Sequence, residues 1–292
     1  MRVAVCVKEV LDARVPVEVA AAAGDVRQPG GGPIRVTNPA DRAALEVALD
    51  LKRRAGAGAR VEAFSVCREP QQGALWYALA RGADSVERIE PPAEARPPVS
   101  TALALYERLG GAGFDMICCG DETLDNASGA VGPILAELLG WAQVTSIAAL
   151  RGLEARRCLF VRRLEKGHRE VVEARLPVVA TFSAEAARPR YVSRRMSERA
   201  RRATIPVFLP GERGASGAVP AWPAEERRLP PRARVKKRFA PDAALSAADR
   251  VKAIMAGGPA EQRSGSAPPV LEGDPAYLVE QLYRFLKHHE FV

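Results

Sequence analysis

The sequence predicts a doubly wound α/β protein with a mostly parallel sheet, a β-hairpin and an extended carboxyl-terminal arm. Three observations predict it. Short apolar runs alternate with amphipathic helical stretches through residues 1–140. The first of them, residues 2–7, is nearly continuous in apolar residues, as strands covered on both faces are. After residue 143 the pattern changes to two strand-like runs around Lys166-Gly167, and from residue 210 onward Pro, Gly and Arg dominate.

The elements follow in order. Val3, Ala4, Val5, Cys6 and Val7 make a buried strand. Asn38-Pro39 opens a helix, since Asn caps and Pro is tolerated at the first helical position. Ala44, Leu45, Val47, Ala48 and Leu51 recur at helical spacing until Gly56. Residues 60–66 read as a second strand, 71–81 as a helix stopped by Gly82, 85–89 as a third strand and 98–109 as a helix. Residues 114–119 make a fourth strand, followed by a polar loop and a helix over 129–139. Strands alternating with helices in this way predict βαβ units. The runs 158–164 and 170–179 predict the hairpin, and the arm carries helix candidates at 245–255 and 275–287. The domains expected are 1–207, which includes a segment 188–202, and the arm 208–292.

Composition narrows the function. The chain has 292 residues and a net charge of +8. Residues 156–202 alone carry 14 basic and 5 acidic residues, so the rest is close to neutral. Aromatic residues are 5% of the chain and no nucleic-acid-binding signature appears, so a basic face for an acidic protein partner is preferred over nucleic acid. No apolar run approaches the ~20 residues of a membrane span. The amino terminus enters a strand without a signal-like segment, and the expected location is cytoplasmic. Five cysteines without C-x-x-C spacing argue against a disulfide scaffold or a zinc module. His168, His288 and His289 lie in a turn and at the terminus, and no Ser-His-Asp or Cys-His arrangement is visible. No enzyme active site is expected in this chain.

In parallel sheets ligands bind beyond the carboxyl ends of the strands. Three loops qualify: 8–12, 67–70 and 120–128. The third is rich in Gly, Ser, Thr, Asn and Asp and runs into a helix whose first N–H groups suit a phosphate. Two readings of it stand: a phosphate cradle, or a turn in which Ser128 merely caps the helix. It is neither G-x-G-x-x-G nor a Walker loop.

The same residues carry a resemblance. Val5-Cys6-Val7-Lys8 with Asp12, Asn38-Pro39-x-Asp41 with Ala44-Leu45-Glu46, Ala80-x-Gly82-Ala83-Asp84, the loop 120–133, Leu135-Ala136-Glu137-x-Leu139-Gly140-Trp141, Leu176-Pro177-x-Val179 and Arg190-Tyr191 together resemble the beta (small) subunit of electron transfer flavoproteins. The resemblance runs in order to about residue 207. It implies a Rossmann-like fold of the adenine nucleotide alpha hydrolase-like kind. It also implies a heterodimer with an alpha subunit that holds most of a shared FAD, the arm embracing that subunit, and AMP or a second FAD in this chain. The cofactor-binding residues so implied are Cys6, Asn38, Pro39, Ala40, Asp41, Val66, Thr123, Leu124, Asp125, Asn126, Ala127, Ser128, Gly129, Ala130, Val131 and Gly132. Amides of residues 126–132 would hold the phosphate, with Asn38 and Asp41 facing the adenosine. Ala130 stands where the family usually has Gln, which removes a hydrogen bond worth about 0.5–1.5 kcal/mol.

The partner-docking residues implied are Arg190, Tyr191, Arg194, Arg195 and Met196. Arg194 occupies the family's apolar anchor position, so the dehydrogenase or oxidoreductase partner is expected to present an acidic face. The function implied is shuttling of electrons between dehydrogenases and an acceptor. The rival reading, on the same fold, is a regulatory module that senses AMP or ATP without carrying electrons.

Overall fold

The computed structural model describes residues 1–16, 18–19, 26–28, 32–56, 58–92, 98–154, 156–211, 246–255 and 273–288. Contacts divide the chain into two compact units, Met1–Arg228 and Leu229–Val292. In the first unit the elements are β1 (Arg2–Cys6), β2 (Glu9–Leu11), β3 (Glu18–Val19), β4 (Val26–Arg27), β5 (Arg35–Thr37), α1 (Pro39–Ala55), β6 (Arg60–Val66), α2 (Gly73–Arg81) and β7 (Ser85–Ile89). They continue with α3 (Val99–Leu109), β8 (Met116–Gly120), α4 (Val131–Leu139), β9 (Ala142–Glu154), β10 (Arg157–Arg163), β11 (Arg169–Arg175), β12 (Val178–Phe182), α5 (Arg194–Arg201) and β13 (Val207–Phe208).

Nine strands form one sheet in the order β11-β10-β9-β12-β8-β1-β6-β7-β13. From β9 to β13 every neighbouring pair is parallel, while β9, β10 and β11 pair antiparallel. The apolar strand residues sort by the period of two. Val3, Val5, Val61, Met116, Cys118, Val178 and Ala180 face one side, where Leu45, Ala48, Leu49 and Leu51 of α1 and Leu75 and Ala78 of α2 cover them. Ala4, Phe64, Ile117, Cys119 and Val179 face the other, under Leu105 and Leu109 of α3 and Leu135 of α4. Helices on both faces of a parallel sheet make the fold doubly wound, as the sequence predicts.

Local chemistry fixes the details. α2 and α4 both end at a left-handed glycine, Gly82 (φ 105°) and Gly140 (φ 65°), whose N–H groups close the last turn. Arg2 pairs with Glu62 at 2.8 Å and lies 4.5 Å above the Phe114 ring, so a charge at the sheet's rim is held without being buried.

The run 170–179, expected as one strand, is two. It breaks at Leu176-Pro177, a cis bond. β11 is the outer strand of the hairpin, whereas β12 sits in the middle of the parallel sheet between β8 and β9. Pro lacks the N–H a ladder needs, which is why the strand ends there. β9, thirteen residues long, and the β2–β5 ribbon were not marked by the sequence pattern. In the second unit the described residues form helices Ala247–Met255 and Pro275–His288. The Pro-, Gly- and Arg-rich run over 212–245 and residues 256–272 lie outside the described residues.

Candidate functional site

The strand order reverses between β1 and β8: the chain leaves β1 toward β6 and β7, then returns to place β8 on β1's other side. A cleft opens there, beyond the carboxyl ends of both strands. Cys6 and Cys119 lie at its floor, with Phe64 and Val66 from β6 and Thr101 and Leu105 from α3 along one wall. Asp121, Glu122, Thr123, Asn126, Ser128, Gly129, Ala130 and Val131 form the other. Its cavity volume is about 210 Å³.

One buried carboxylate organises the walls. Asp41 Oδ2 accepts the Lys8 N–H at 2.7 Å, and Oδ1 accepts the Gly120 N–H at 3.1 Å and the Asn38 Nδ2 donor at 3.0 Å. It thereby ties the end of β1, the end of β8 and the start of α1 together. Burial pushes its carboxyl up to about 7, against the pull of the three donors. Asn38 is 1% exposed and donates from Nδ2 to the Glu122 carbonyl at 2.8 Å, while its Oδ1 accepts the Leu124 N–H at 3.3 Å. Its side chain makes no cap hydrogen bond to α1. The residue expected to cap the helix instead pins the loop after β8. Gly120 has no room for a side chain: a Cβ would lie 2.2 Å from Asp41 Oδ1.

The loop holds its own shape. The Thr123 hydroxyl donates to Asp125 at 2.6 Å, the Ala127 N–H donates to the Thr123 carbonyl at 2.9 Å, and the Ser128 N–H donates to Asn126 Oδ1 at 3.3 Å. Lys8 Nζ meets Asp125 Oδ2 at 2.5 Å. Burial raises the Asp125 carboxyl, but Lys8 and Thr123 outweigh it and hold it below its usual range. Gly129 takes φ +60°, which turns the chain into α4. Ala130 stands at the N-cap of α4 with no side-chain cap. Among the described residues no acceptor takes the N–H groups of Gly129, Ala130, Val131 or Gly132. A helix N-terminus with open donors and a partial positive charge therefore faces the cleft, the arrangement that receives an anion. Ser128 is not the cap.

Of the expected cofactor residues, Cys6, Asp41, Val66, Thr123, Asn126, Ser128, Gly129, Ala130 and Val131 line the cleft. Asn38, Pro39, Ala40, Leu124 and Ala127 line a second hollow behind the loop, together with Arg163, Ser183 and Glu185. Asp125 bridges to Lys8 at the mouth, and Gly132 packs α4 on β12, where a Cβ would lie 2.4 Å from Thr181 Cγ2. Lys8, Asp121 and Glu122 line the cleft from the expected loops 8–12 and 120–128, while Phe64, Thr101 and Leu105 line it without having been singled out. Lys8 follows β1 directly, so the rule of strand carboxyl ends finds it; Thr101 and Leu105 depend on how α3 packs. The Cys6 thiol is held well above its usual value by the Cys119 thiol and by burial, so both sulfurs serve as apolar floor. Among the described residues no cluster of His, Cys, Asp or Glu is placed to hold a metal ion, and no helix is long and apolar enough to cross a membrane.

The segment expected to dock a partner divides in two. Arg190 is an anchor: its Nε donates to Glu46 at 2.5 Å, and Glu46 is 5% exposed on α1. The stretch beyond it is the helix α5, capped by Ser193, whose hydroxyl accepts the Met196 N–H. Tyr191 is 91% exposed and Met196 is 49% exposed, with Arg194 paired to Glu198 at 2.7 Å.

Comparison with known proteins places this geometry. Residues 34–225 match the electron transfer flavoprotein domain. A relative named electron transfer flavoprotein subunit beta, from Thermoanaerobacterium thermosaccharolyticum, is 33% identical over 159 residues, 54% of this chain and 60% of that protein. The acryloyl-CoA reductase electron transfer subunit gamma of Anaerotignum propionicum is 32% identical over 203 residues, 66% of this chain and 72% of that protein. A probable electron transfer flavoprotein subunit beta from Saccharomyces cerevisiae is 29% identical over 195 residues, covering 66% and 73%. The matched residues contain the β8 loop, the start of α4 and α5, and the chain belongs to the beta (small) subunit family of electron transfer flavoproteins.

Proposed function

We propose that this chain is the beta subunit of a heterodimeric electron transfer flavoprotein and that it holds an adenine nucleotide in the β1–β8 cleft. The observation that carries the reading is the open α4 N-terminus: unpaired amides of residues 129–132 at the strand switch point, supported by the Asp41 and Asn38 braces. They would take a phosphate, with the apolar wall of Phe64, Val66 and Leu105 beside a purine. Of the two candidates, AMP or a second FAD, we take AMP, whose single phosphate the open N-terminus of α4 matches.

In this reading the chain makes and breaks no bonds. The shared FAD, held mainly by the alpha subunit, supplies the redox chemistry. This chain orders its own loops around the nucleotide, covers the flavin-bearing partner and offers α5 to an acidic donor or acceptor. The test is to purify the chain with its alpha partner. The reading expects a yellow complex whose flavin is reduced by a dehydrogenase, and AMP in the acid extract. A colourless protein that releases only ATP or nothing overturns it.

A further inference from the structure

We infer that the groove between α2 and α5 is a binding site for an acidic peptide segment of a partner protein. The groove lies apart from the nucleotide cleft and does not depend on it. Its cavity volume is about 870 Å³, several times the 210 Å³ of the cleft. Its walls come from the β2–β5 ribbon, the first turns of α1, the length of α2, residues 189–192 and α5.

Charge defines the occupant. Arg35, Arg42, Arg81, Arg190 and Arg201 line the groove against a single carboxylate, Glu9. Glu9 is already engaged, because its Oε2 accepts the Gly73 N–H at the start of α2 at 2.6 Å. Arg190 is matched by Glu46. Among the described residues the other four arginines have no ion-pair partner. Four guanidinium groups without an ion pair around one concavity attract anions and repel cations.

Two further features make the groove more than a charged surface. The guanidinium groups of Arg81 and Arg42 lie 4.1 Å and 5.9 Å from the centroid of the Tyr77 ring. Each also spends one donor on the backbone, Arg42 Nε on the Thr37 carbonyl at 2.7 Å and Arg81 on the Arg190 carbonyl, which holds these long side chains in place while their remaining N–H groups have no carboxylate. The indole Nε1 of Trp76, a groove residue, is buried and has no hydrogen-bond partner. An unmatched buried donor is destabilising until an acceptor arrives.

The spread of charge selects an extended ligand over a compact one. The N-terminus of α2, the natural seat for a lone phosphate, is filled by Glu9. The arginines without an ion pair sit on β5, α1, α2 and α5, so a chain of carboxylates meets them where one anion cannot. Tyr191, 91% exposed at the rim, adds an aromatic face for an apolar residue of the same segment.

The test titrates the full-length protein with a fluorescein-labelled oligoglutamate peptide and follows anisotropy, with oligoglutamine as the neutral control. Binding is expected for oligoglutamate alone, weakening as salt rises. Arg201→Gln is expected to weaken it at least about threefold, the scale of one exposed ion pair, and Trp76→Phe to weaken it as well. Arg157→Gln removes the same charge from the distant hairpin strand β10 and is expected to leave binding unchanged. Arg201 is exposed at the end of α5, so its replacement leaves the fold intact, which circular dichroism checks. The inference is overturned if Arg157→Gln weakens binding as much as Arg201→Gln, if oligoglutamine binds equally, or if inorganic phosphate at matched ionic strength displaces the peptide.

Discussion

Asp41 and Asn38 show how few side chains set the site. Asp41 satisfies three donors with two oxygens, and an amide in its place keeps one acceptor and sets an N–H₂ against a buried N–H. Asp41→Asn is expected to lower stability by about 1–3 kcal/mol, read as a drop in the urea midpoint; an unchanged midpoint contradicts the brace. The pH dependence follows from the raised carboxyl. Because it is pushed from 3.8 to about 7 in the folded state, its contribution is fully present below about pH 4 and is lost as pH rises through about 7. The wild type is expected to lose stability relative to Asp41→Asn across that window, and parallel profiles for the two proteins contradict it. Gly120→Ala drives a methyl onto Asp41 Oδ1 and is expected to cost about 1–3 kcal/mol. The resemblance singled out both Asn38 and Asp41, and Asp41 does line the cleft. Their bracing role was not legible, because it depends on the β8 loop lying 84 residues away from Asn38.

At the scale of elements, the proposed function rests on α4 and α5. α4 reaches the cleft because Gly132 lets it sit against Thr181 of β12. Gly132→Ala is therefore expected to tilt the helix start and to lower retention of the nucleotide through purification, quantified in acid extracts; full retention contradicts the placement. α5 was not marked by the sequence pattern, and its helix is explained by the Ser193 cap and the Arg194–Glu198 pair. A run of arginines hides helical periodicity because it offers no apolar stripe to count. Arg194→Glu or Arg195→Glu is expected to slow electron delivery from the physiological partner at low salt without changing flavin content. Equal rates for mutant and wild type contradict an acidic docking face. Upstream, Glu46→Gln removes the partner of Arg190 and is expected to speed trypsin cleavage within residues 188–192; an unchanged digest contradicts the anchor.

For the whole molecule, local patterning was sufficient to read the doubly wound half and insufficient for the rest. β1 and β8 are apolar and buried along most of their length, so they announced themselves as apolar runs, whereas β6 and β7 carry Glu62, Glu87 and Arg88 and were read from their place between helices. β9 escaped because its burial is mixed along thirteen residues: it leaves the parallel sheet to become the first strand of the antiparallel extension. β12 was merged with β11 because only a single proline separates a core strand from an edge one. Two sides of the cleft were legible, since loops 8–12 and 120–128 follow strand carboxyl ends, while the other expected loop, 67–70, does not line it. The wall from α3 was not legible, because Thr101 and Leu105 enter the cleft only through helix packing.

The claim on which these features converge is that amides at the start of α4 hold a phosphate. Calorimetric titration of nucleotide-stripped protein with AMP and with adenosine tests it most directly. AMP is expected to bind at least about tenfold more tightly, as charge-assisted hydrogen bonds of about 1.5–3 kcal/mol supply, and equal affinity for the two, or no binding of AMP, would contradict it.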